Sequence, residues 1–405
     1  MSIINKIRTI RLDKFPNVIW VEIETNEGLI GLGEAFRGVS AIEAIINDDI
    51  GPLLIGKDSR HIENISLTLM DAYLGFNSSS AEVRAASAID IALWDLYGLR
   101  HDIPVFEALG GASRDKIPVY NTCAGYNFNN KSSNYNSGSS RRIITQEDKL
   151  EGPYDDQVAF MQDAGELAKS LLSEGYHGMK IWPFDEFAEK TKGQYISLED
   201  LEKGLEPFRK IREAVGNKIE IMCELHSLWN MTSAIRICKK IEEFDVLWVE
   251  DPLNKMDNIN ALRYLNNKVN IPICGSETLG GSVTFQEIIS NNTLDYVMVD
   301  LGWCGGLTEG RKIANVASNY NLPLTPHDCS GPIILWAGIH LSLHSKSGVF
   351  QEVVRASLAT WYKELVTELP ILKDGYIELP NQAGIGAQLS SNVKKHKNVI
   401  IKEVK

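Results

Sequence analysis

Six short apolar runs in the C-terminal half of the chain each end in an acidic residue or a histidine, at nearly regular spacing. The steps between these polar residues are 26, 27, 23, 27 and 25 positions, and the residues are Glu224, Glu250, Glu277, Asp300, His327 and Glu352. A β-strand, a loop and a helix fit within such an interval. The pattern therefore predicts successive parallel strands, each with a polar side chain at its C-terminal end.

Two further apolar runs complete the series. IPVYNTC and HGMKIW precede the other six, and a predicted helix over 155–174 lies between them. Eight parallel strands with intervening helices are typical of a (β/α)8 barrel, in which active sites lie at the C-terminal strand ends. We expect this α/β barrel over residues 117–360, with Lys180 at the end of its second strand.

The first 116 residues lack this period. NVIWVEIETNEGLIGLGEA alternates around a turn at 26–28, as a β-hairpin does, and three later segments have helical spacing. These segments are 40–56, 61–75 and 80–102. We predict an α+β capping domain over residues 1–116. A last helix is predicted over 358–369, and residues 361–405 are expected to pack back on the capping domain and complete it.

Composition restricts the partners and the compartment. The formal net charge of −12 and the pI near 5.3 argue against nucleic acid or an anionic membrane, because both attract excess Lys and Arg. No apolar run approaches 18 residues, so neither export nor membrane insertion is expected. The cysteines show no zinc-type spacing and several lie within apolar strands, which indicates reduced thiols in a cytoplasmic protein. They are Cys123, Cys223, Cys238, Cys274, Cys304 and Cys329.

Three of the polar strand ends form a candidate metal site. Glu224, Glu250 and Glu277 end adjacent predicted strands, and three carboxylates at one mouth repel unless their pKa values shift or a cation lies among them. All-oxygen ligands favour a hard ion, with Mg²⁺ first. The alternative is that each glutamate only caps a helix or pairs with an arginine.

Other polar residues at the strand ends are candidates for proton transfer. His226 lies two residues after Glu224, so it would face the same side of an extended strand. Asp300 ends the strand before that of His327, and a carboxylate beside an imidazole fixes its tautomer and raises its basicity. Lys180 is the third candidate. The alternatives are structural histidines and a salt-bridged barrel lysine.

These residues and motifs together resemble the enolase superfamily, and within it the mandelate racemase subgroup with its acid-sugar dehydratases. AIDIALWDLYGLRHDIPVFEALGG is similar to the signature that ends the capping domain, and WVEDP, GSET, VMVDLGWCGGLTEG and PHDCSGPI follow in the family's order. The resemblance covers nearly the whole chain. It implies Mg²⁺ bound by the three glutamates, an Asp300–His327 dyad, and Glu352 beside the substrate carboxylate.

Two positions depart from the pattern of the subgroup. Its second strand often carries Lys-x-Lys, whereas Trp182 stands two residues after Lys180, which disfavours a racemase with bases on both faces. The first metal ligand is usually Asp, whereas this chain has Glu224. His226 resembles the histidine with which some acid-sugar dehydratases protonate the departing 3-hydroxyl.

The resulting hypothesis is a lyase: a Mg²⁺-dependent dehydratase that converts an aldonate or aldarate to a 2-keto-3-deoxy acid. His327, tuned by Asp300, removes the proton at C2, while the metal and a protonated or hydrogen-bonding Glu352 stabilise the enediolate. His226 acts as the acid and Lys180 supplies charge, and the two histidines are interchangeable in these roles. The alternatives are an epimerase, racemase or cycloisomerase of a related acid, and a non-catalytic sugar-acid-binding protein.

Substrate contacts are expected from aromatic residues at the strand ends and from loops. Trp182, Trp303 and Tyr126 are candidates, with barrel packing as the alternative. The polar stretch 126–153 contains Arg141 and Arg142 and is either a surface insertion or a lid whose arginines reach an anionic substrate. The capping-domain segments FPNV and EAFRG are expected to influence substrate choice. The resemblance also implies a homo-oligomer with a small sugar acid as its partner molecule.

Overall fold

The computed structural model describes residues 1–70, 80–126, 128, 144 and 148–405. The capping domain contains a four-stranded antiparallel sheet, made of Ile4–Leu12 (β1), Val18–Thr25 (β2), Ile30–Phe36 (β3) and, from the far end of the chain, Val399–Val404 (β14). β2 and β3 form the predicted hairpin, while β14 pairs with the outer edge of β1. The expectation that the C-terminal tail completes the capping domain is thus confirmed.

Helices cover one face of this sheet. They are Val39–Ala44 (α1), Gly51–Leu54 (α2), Ile62–Leu69 (α3), Ala81–His101 (α4) and Val105–Ala108 (α5). A π-helical segment over Ile45–Ile50 separates α1 from α2, so the predicted helix over 40–56 is divided. α4 is buried over most of its length because it packs against the sheet on one side and the barrel on the other.

Eight parallel strands form the barrel that the sequence predicts. They are Lys116–Thr122 (β4), Gly178–Ile181 (β5), Glu220–Glu224 (β6), Trp248–Glu250 (β7), Ile273–Gly275 (β8), Tyr296–Val299 (β9), Leu324–Pro326 (β10) and Gln351–Val353 (β11). Consecutive strands from β4 to β10 pair in parallel, and β11 pairs in parallel with β4. A parallel bridge between Leu324 and Gly348 joins the two remaining edges and closes the barrel.

The connecting helices lie outside the strands. They are Asp156–Ser173 (α6), Asp185–Thr191 (α7), Leu198–Val215 (α8), Met231–Ile241 (α9), Ile259–Asn266 (α10), Ser282–Ser290 (α11), Gly306–Asn319 (α12) and Pro332–His344 (α13). α6 matches the helix predicted over 155–174. The single helix predicted over 358–369 is wrong, because Thr360 leaves helical geometry (φ −120°, ψ −95°). Two short helices take its place, Arg355–Ala359 (α14) and Tyr362–Leu365 (α15).

The C-terminal segment contacts the barrel before it reaches the capping sheet. Leu372–Lys373 (β12) and Tyr376–Glu378 (β13) form a small hairpin, and β13 pairs antiparallel with the N-terminal half of β4. Ser391–Lys394 (α16) then leads to β14. The expectation from sequence placed this segment against the capping domain and did not include its pairing with β4.

Two buried carboxylates of the capping domain join it to the C-terminal end of the barrel. Glu34 on β3 accepts a hydrogen bond from the backbone N–H of Ile333 (3.0 Å), in the first turn of α13. Asp90 on α4 accepts one from the backbone N–H of Thr308 (2.9 Å), in the first turn of α12. Gly306 has φ +78° and its Cβ position lies 2.4 Å from Asp90 Oδ1, so only glycine fits there. These contacts place the capping domain over the barrel mouth.

His340 of α13 links the barrel to α5 and to the tail. Its Nδ1 accepts from the backbone N–H of Phe106 (3.2 Å), and its Nε2 lies 3.1 Å from the carbonyl oxygen of Ile385. With both nitrogens in these contacts, the neutral ring donates through Nε2. Burial lowers the pKa of His340 to about 4, because the imidazolium would lose its hydration.

This low pKa predicts a pH-dependent loss of stability. The unfolded chain binds the proton of His340 near pH 6.5, whereas the folded protein binds it near pH 4. The stabilising contribution is complete above about pH 6.5 and is lost as the pH falls towards 4. Between pH 7 and 4.5 the unfolding free energy of the wild type should fall by about 2–3 kcal/mol more than that of His340→Gln. Denaturant titrations at both pH values measure this, and equal losses would contradict it.

The six cysteines are buried and free, as predicted. Within the described ranges, no helix combines the length and the apolar character needed to cross a membrane.

Candidate active site

A cavity of about 200 Å³ lies at the C-terminal ends of the barrel strands, beneath the capping domain. Phe36, Arg37 and Arg84 contribute to its wall from the capping domain. Seven of the residues predicted from sequence line it, namely Lys180, Trp182, Glu224, His226, Glu277, Trp303 and His327. Glu250, Asp300 and Glu352 are fully buried and contact members of this set. The structure thus brings the predicted series of strand-end residues together at one place.

The three glutamates converge as the sequence predicts. Glu224 and Glu250 end β6 and β7, and Glu277 follows β8 by two residues. Each offers a carboxylate oxygen within 4.8 Å of the other two. Burial and the neighbouring Glu224 carboxylate raise the pKa of Glu250 well above its usual range, although Lys180 opposes this. A bound cation would offset the electrostatic repulsion among these carboxylates.

The donor set fits a hard divalent cation. All three donors are carboxylates, and hard cations of this kind prefer oxygen. Asp251 lies beside them, and its Oδ1 is buried with no hydrogen-bond partner among the described residues. Burial and the charge of Glu277 raise the pKa of Asp251 to about 8, so the site holds more negative charge than its surroundings neutralise. Residues Glu224, Glu250 and Glu277 would hold the ion.

A second group of potential ligands fits a metal less well. His327, Cys329 and Glu352 also have donor atoms within 4.8 Å of one another. Burial raises the pKa of the Cys329 thiol to about 12, so the neutral thiol is a poor ligand at neutral pH. The three glutamates are therefore the better candidate ligands for a cation.

Lys180 is buried among carboxylates. Its Nζ lies 2.5 Å from Glu250 Oε1, 3.0 Å from Glu352 Oε1 and 3.6 Å from Glu224 Oε2. Burial alone would lower the pKa of Lys180, but Glu250 and Glu352 outweigh it and raise the pKa well above the usual value. These contacts favour the ammonium form of Lys180, which donates to the surrounding carboxylates.

Glu352 is an acceptor at each of its contacts. It receives hydrogen bonds from Lys180 Nζ, from the hydroxyl of Thr122 and from the backbone N–H of Asp328 (3.0 Å). Burial would raise its pKa, but Lys180 and His327 lower the pKa below its ordinary value. This charge state favours Glu352 as an acceptor, and its predicted role beside the substrate, as a protonated or hydrogen-bonding group, stays a prediction. Lys180 is the charged donor among these contacts.

His327 forms the predicted dyad with Asp300. Its Nδ1 lies 2.7 Å from Asp300 Oδ2, while Ser330 Oγ (2.6 Å) and the backbone N–H of Gly302 (2.7 Å) donate to the same carboxylate. Asp300 accepts from all three, so it holds the Nδ1–H of His327. Nε2 faces the cavity, 3.1 Å from Glu277 Oε2. Burial opposes charge on the ring, but Glu277 and Glu352 raise the pKa of His327 well above its ordinary value. A cation bound by Glu277 would offset the larger of these two charges and leave Nε2 able to accept a proton.

His226 has an equivalent carboxylate partner that the sequence analysis did not identify. Its Nδ1 lies 2.8 Å from Oδ2 of Asp185, the first residue of α7. Burial opposes charge on the ring, but Asp185 and Glu224 raise the pKa of His226 to about 9. The site thus contains two histidines, each oriented by an aspartate through Nδ1.

His226 lines the cavity, but the expectation that it does so from an extended strand, on the same side as Glu224, is wrong. The strand ends at Glu224, and His226 has a left-handed backbone (φ +49°) instead of an extended one. Its N–H donates to Glu224 Oε1 (2.6 Å), so the turn is tied to a candidate ligand. The Trp182 ring packs edge-on against the imidazole with centroids 5.6 Å apart.

Only some of the residues predicted to contact the substrate line the cavity. Trp182 and Trp303 line the cavity, whereas Tyr126 is not among the lining residues described, and its hydroxyl accepts from the backbone N–H of Tyr154 (2.9 Å). Arg141 and Arg142 lie outside the described residues. Asp185 could have been suspected from its place shortly after Lys180, beyond the end of the second barrel strand. No signal in the sequence marks Arg84, because an arginine in the first turn of a long helix is ordinary.

Comparison with known proteins agrees with this geometry. The family described as "Enolase C-terminal domain-like" matches residues 163–393, and "Mandelate racemase / muconate lactonizing enzyme, N-terminal domain" matches residues 11–110. Arabinonate dehydratase of Saccharolobus solfataricus is 25% identical over 93% of this chain and 89% of its own length. D-galactonate dehydratase of Pectobacterium atrosepticum is 27% identical over 98% of this chain and 94% of its own. These names agree with the predicted lyase class.

Solved structures extend the likeness to the whole fold. An enolase protein from Sargasso Sea environmental sequencing has a TM-score of 0.88 and 48% identity, and covers 100% of this chain and 99% of its own. An enolase of the mandelate racemase subgroup from Agrobacterium tumefaciens has a TM-score of 0.87 and 41% identity, with the same coverage. The chain therefore belongs to the mandelate racemase/muconate lactonizing enzyme family of the enolase superfamily, as its two matched domains and its capped barrel show.

Proposed function

We propose that this protein dehydrates a sugar acid, an aldonate or an aldarate, to a 2-keto-3-deoxy acid with Mg²⁺ as its cation. One observation carries the proposal: two aspartate-oriented histidines line the same cavity as Glu224 and Glu277, whose carboxylates converge with that of the buried Glu250. Loss of water across C2 and C3 requires one group that takes a proton from carbon and another that gives a proton to the departing hydroxyl. The names of the relatives support the same reaction class.

The glutamates and Lys180 prepare the carboxylate end of the substrate. Bound by Glu224, Glu250 and Glu277, a divalent cation supplies Lewis acidity that makes the α-proton of the acid easier to remove. Lys180 Nζ adds a fixed positive charge and a hydrogen-bond donor close to two of these glutamates. Its neighbour Glu352 holds the ammonium ion in place by accepting from it. These charges are in position before the reaction begins.

The two dyads then divide the proton transfers. His327 accepts the C2 proton at Nε2, and Asp300 stabilises the imidazolium that forms. His226 donates a proton to the 3-hydroxyl, so that the C3–O bond breaks and water leaves. The resulting C2=C3 enol takes up a proton at C3 and becomes the 2-keto acid. Asp185 keeps the Nε2 of His226 available for this donation.

An epimerase or racemase of the same acids is supported less well. Such an enzyme returns a proton to the same carbon from the opposite face and therefore needs a second base there. Lys180 is held as an ammonium ion among carboxylates, and Trp182 stands two residues later. A non-catalytic binding protein does not account for two histidines that are both oriented for proton transfer.

A substrate panel tests the proposal. Purified protein with Mg²⁺ is incubated with aldonates and aldarates in D₂O, and 2-keto acid formation and deuterium exchange at C2 are recorded together. Conversion of at least one acid to a 2-keto-3-deoxy acid is expected. Exchange at C2 without keto acid from any member would replace the dehydratase with an epimerase, and the absence of both would refute the proposal.

Substitution of Asp185 distinguishes the two dyads. In Asp185→Asn the amide no longer stabilises the His226 imidazolium, so 2-keto acid formation should fall by about 10- to 100-fold. Exchange at C2 should persist, because removal of the carbon proton depends on the other dyad. Asp163→Asn, in the kink of α6, serves as a control and should leave both rates unchanged. If Asp185→Asn lowers exchange and dehydration equally, His226 is not the acid.

A further inference from the structure

We propose that the capping-domain wall of the cavity binds a second anionic group of the substrate, so that the enzyme prefers an aldarate to the matching aldonate. This inference rests on the proposed dehydratase function and specifies its substrate class. The observation that carries it is the presence of two guanidinium groups, those of Arg37 and Arg84, in the lining of the same cavity. The chain has a net charge of −12, so two arginines in one small cavity are not a general property of its surface.

Arg84 is held in a defined orientation. It lies in the first turn of α4, and its Nη1 donates to the carbonyl oxygens of Phe36 and Arg37, at 3.3 Å each. Its guanidinium carbon is 4.6 Å from the centre of the Trp303 ring. Trp303 is itself fixed, because its Nε1 donates to the Phe36 carbonyl oxygen (3.2 Å). A guanidinium that is already oriented loses little conformational entropy when it binds an anion.

Arg37 reaches the cavity through a turn in the backbone. It follows β3 and has a left-handed conformation (φ +60°), while its N–H donates to the carbonyl oxygen of Asn17 (2.8 Å). Its guanidinium carbon lies 5.5 Å from the centre of the Phe36 ring. The same loop therefore supplies the Arg37 side chain and the carbonyl oxygens that orient Arg84. Both cations belong to one local structure at the edge of the capping domain.

The indole of Trp303 contacts both an arginine and the proposed base. It packs against the Arg84 guanidinium, and its ring centre is 5.8 Å from that of His327. Arg84 is thus separated from the proposed base by a single aromatic residue. The glutamate site lies on the barrel side of the cavity and the guanidinium groups lie on the capping side. A sugar acid with its first carboxylate at the glutamate site extends its other end towards the arginines.

The chemistry of that other end decides the substrate class. An aldarate ends in a second carboxylate, which a guanidinium binds through two parallel charge-assisted hydrogen bonds. An aldonate ends in a neutral CH₂OH group, which forms weaker bonds with the same donors. The cavity of about 200 Å³ suits an unmodified sugar chain better than one carrying a bulky terminal substituent. We therefore assign the second anion to a carboxylate.

Matched pairs of substrates test this assignment. We compare kcat/KM for galactarate with that for galactonate, and kcat/KM for glucarate with that for gluconate. In the pair that reacts faster, kcat/KM is expected to be at least about tenfold higher for the aldarate. Arg84→Met keeps an apolar side chain against Trp303 but removes the charge. It should reduce this preference by about tenfold or more, mainly through KM, because the lost contact is to a non-reacting part of the substrate.

Two controls keep the result specific. Arg100 lies on the same helix as Arg84 and pairs with Glu27. Arg100→Met should leave the preference for the aldarate unchanged. Arg37→Gln tests the other guanidinium and serves in place of Arg84→Met if that variant does not fold. A wild type that prefers aldonates, or an Arg84→Met variant that weakens both substrates equally, would overturn the inference. Preference for an aldonate phosphorylated at its far end would replace the carboxylate with a phosphate and overturn the aldarate assignment.

A binding measurement separates this inference from the proposed reaction. In a His327→Asn background with Mg²⁺, calorimetry compares the affinity for galactarate and galactonate with and without Arg84→Met. If galactarate binds more tightly than galactonate and Arg84→Met removes this difference, the second anionic site is supported even if no acid in the panel is dehydrated. Equal binding of both acids refutes the site even if dehydration is observed.

Discussion

Replacing His327 by Asn is expected to lower kcat for the best sugar acid by about 10²- to 10⁴-fold, the usual contribution of a general base. Asn keeps a polar side chain of similar reach but cannot accept a proton near neutral pH. Deuterium exchange at C2 should disappear together with turnover, because both require removal of the same proton. The reaction is followed by 2-keto acid formation, and exchange is followed by NMR in D₂O.

Two comparisons make this result decisive. His61→Asn changes an exposed histidine of the capping domain and should leave both rates as they are. His226→Asn should lower dehydration but preserve exchange, since its proton goes to the departing hydroxyl. If His327→Asn retains exchange while His226→Asn loses it, the two histidines have the opposite roles. If His327→Asn turns over normally, the proposed dyad has no part in catalysis.

Replacing Glu224 by Gln is expected to lower the affinity for Mg²⁺ by at least about 100-fold, because a direct carboxylate ligand matters more than an outer partner. The amide has the size of the carboxylate and can still accept from the N–H of His226, so the local fold is retained. Calorimetry on protein freed of metal measures the affinity. Activity should fall in parallel and should recover only at much higher Mg²⁺ concentrations.

Stability gives an independent readout of the same substitution. Mg²⁺ should raise the melting temperature of the wild type, because a ligand of the folded state stabilises it, and this increase should be lost in Glu224→Gln. Without the cation the variant should be at least as stable as the wild type, since one of several repelling carboxylates is gone. Glu220→Gln, at the exposed start of the same strand, is the matched control. Unchanged Mg²⁺ binding by Glu224→Gln would exclude this glutamate as a ligand.

Much of the site could be predicted because barrel strands place their ends at one rim. A buried strand is recognisable as a short apolar run, and in a barrel the residue after each run reaches the common mouth. Glu224, Glu250 and Glu277 could therefore be grouped from sequence position alone. The same reasoning paired His327 with Asp300, which the structure places 2.7 Å apart.

Other features depend on contacts between distant segments. Asp185 became the partner of His226 only because the start of α7 lies against the turn that follows β6. The ionisation of Glu352 depends on Lys180, 172 positions earlier in the chain, whose Nζ lies 3.0 Å away. A pKa reflects the charges and the burial around a group, and neither can be read from its neighbours in sequence.

The sequence by itself determined the barrel, the capping domain and the position of the strand-end acids and histidines. These depend on the periodicity of apolar residues, which is a local property of the chain. Only the tertiary structure decided that His226 enters the site through a left-handed turn, that Lys180 is an ammonium ion among carboxylates, and that Arg37 and Arg84 join the cavity from the capping domain. Orientation, charge state and the approach of one domain to another arise from long-range packing, which no single segment encodes.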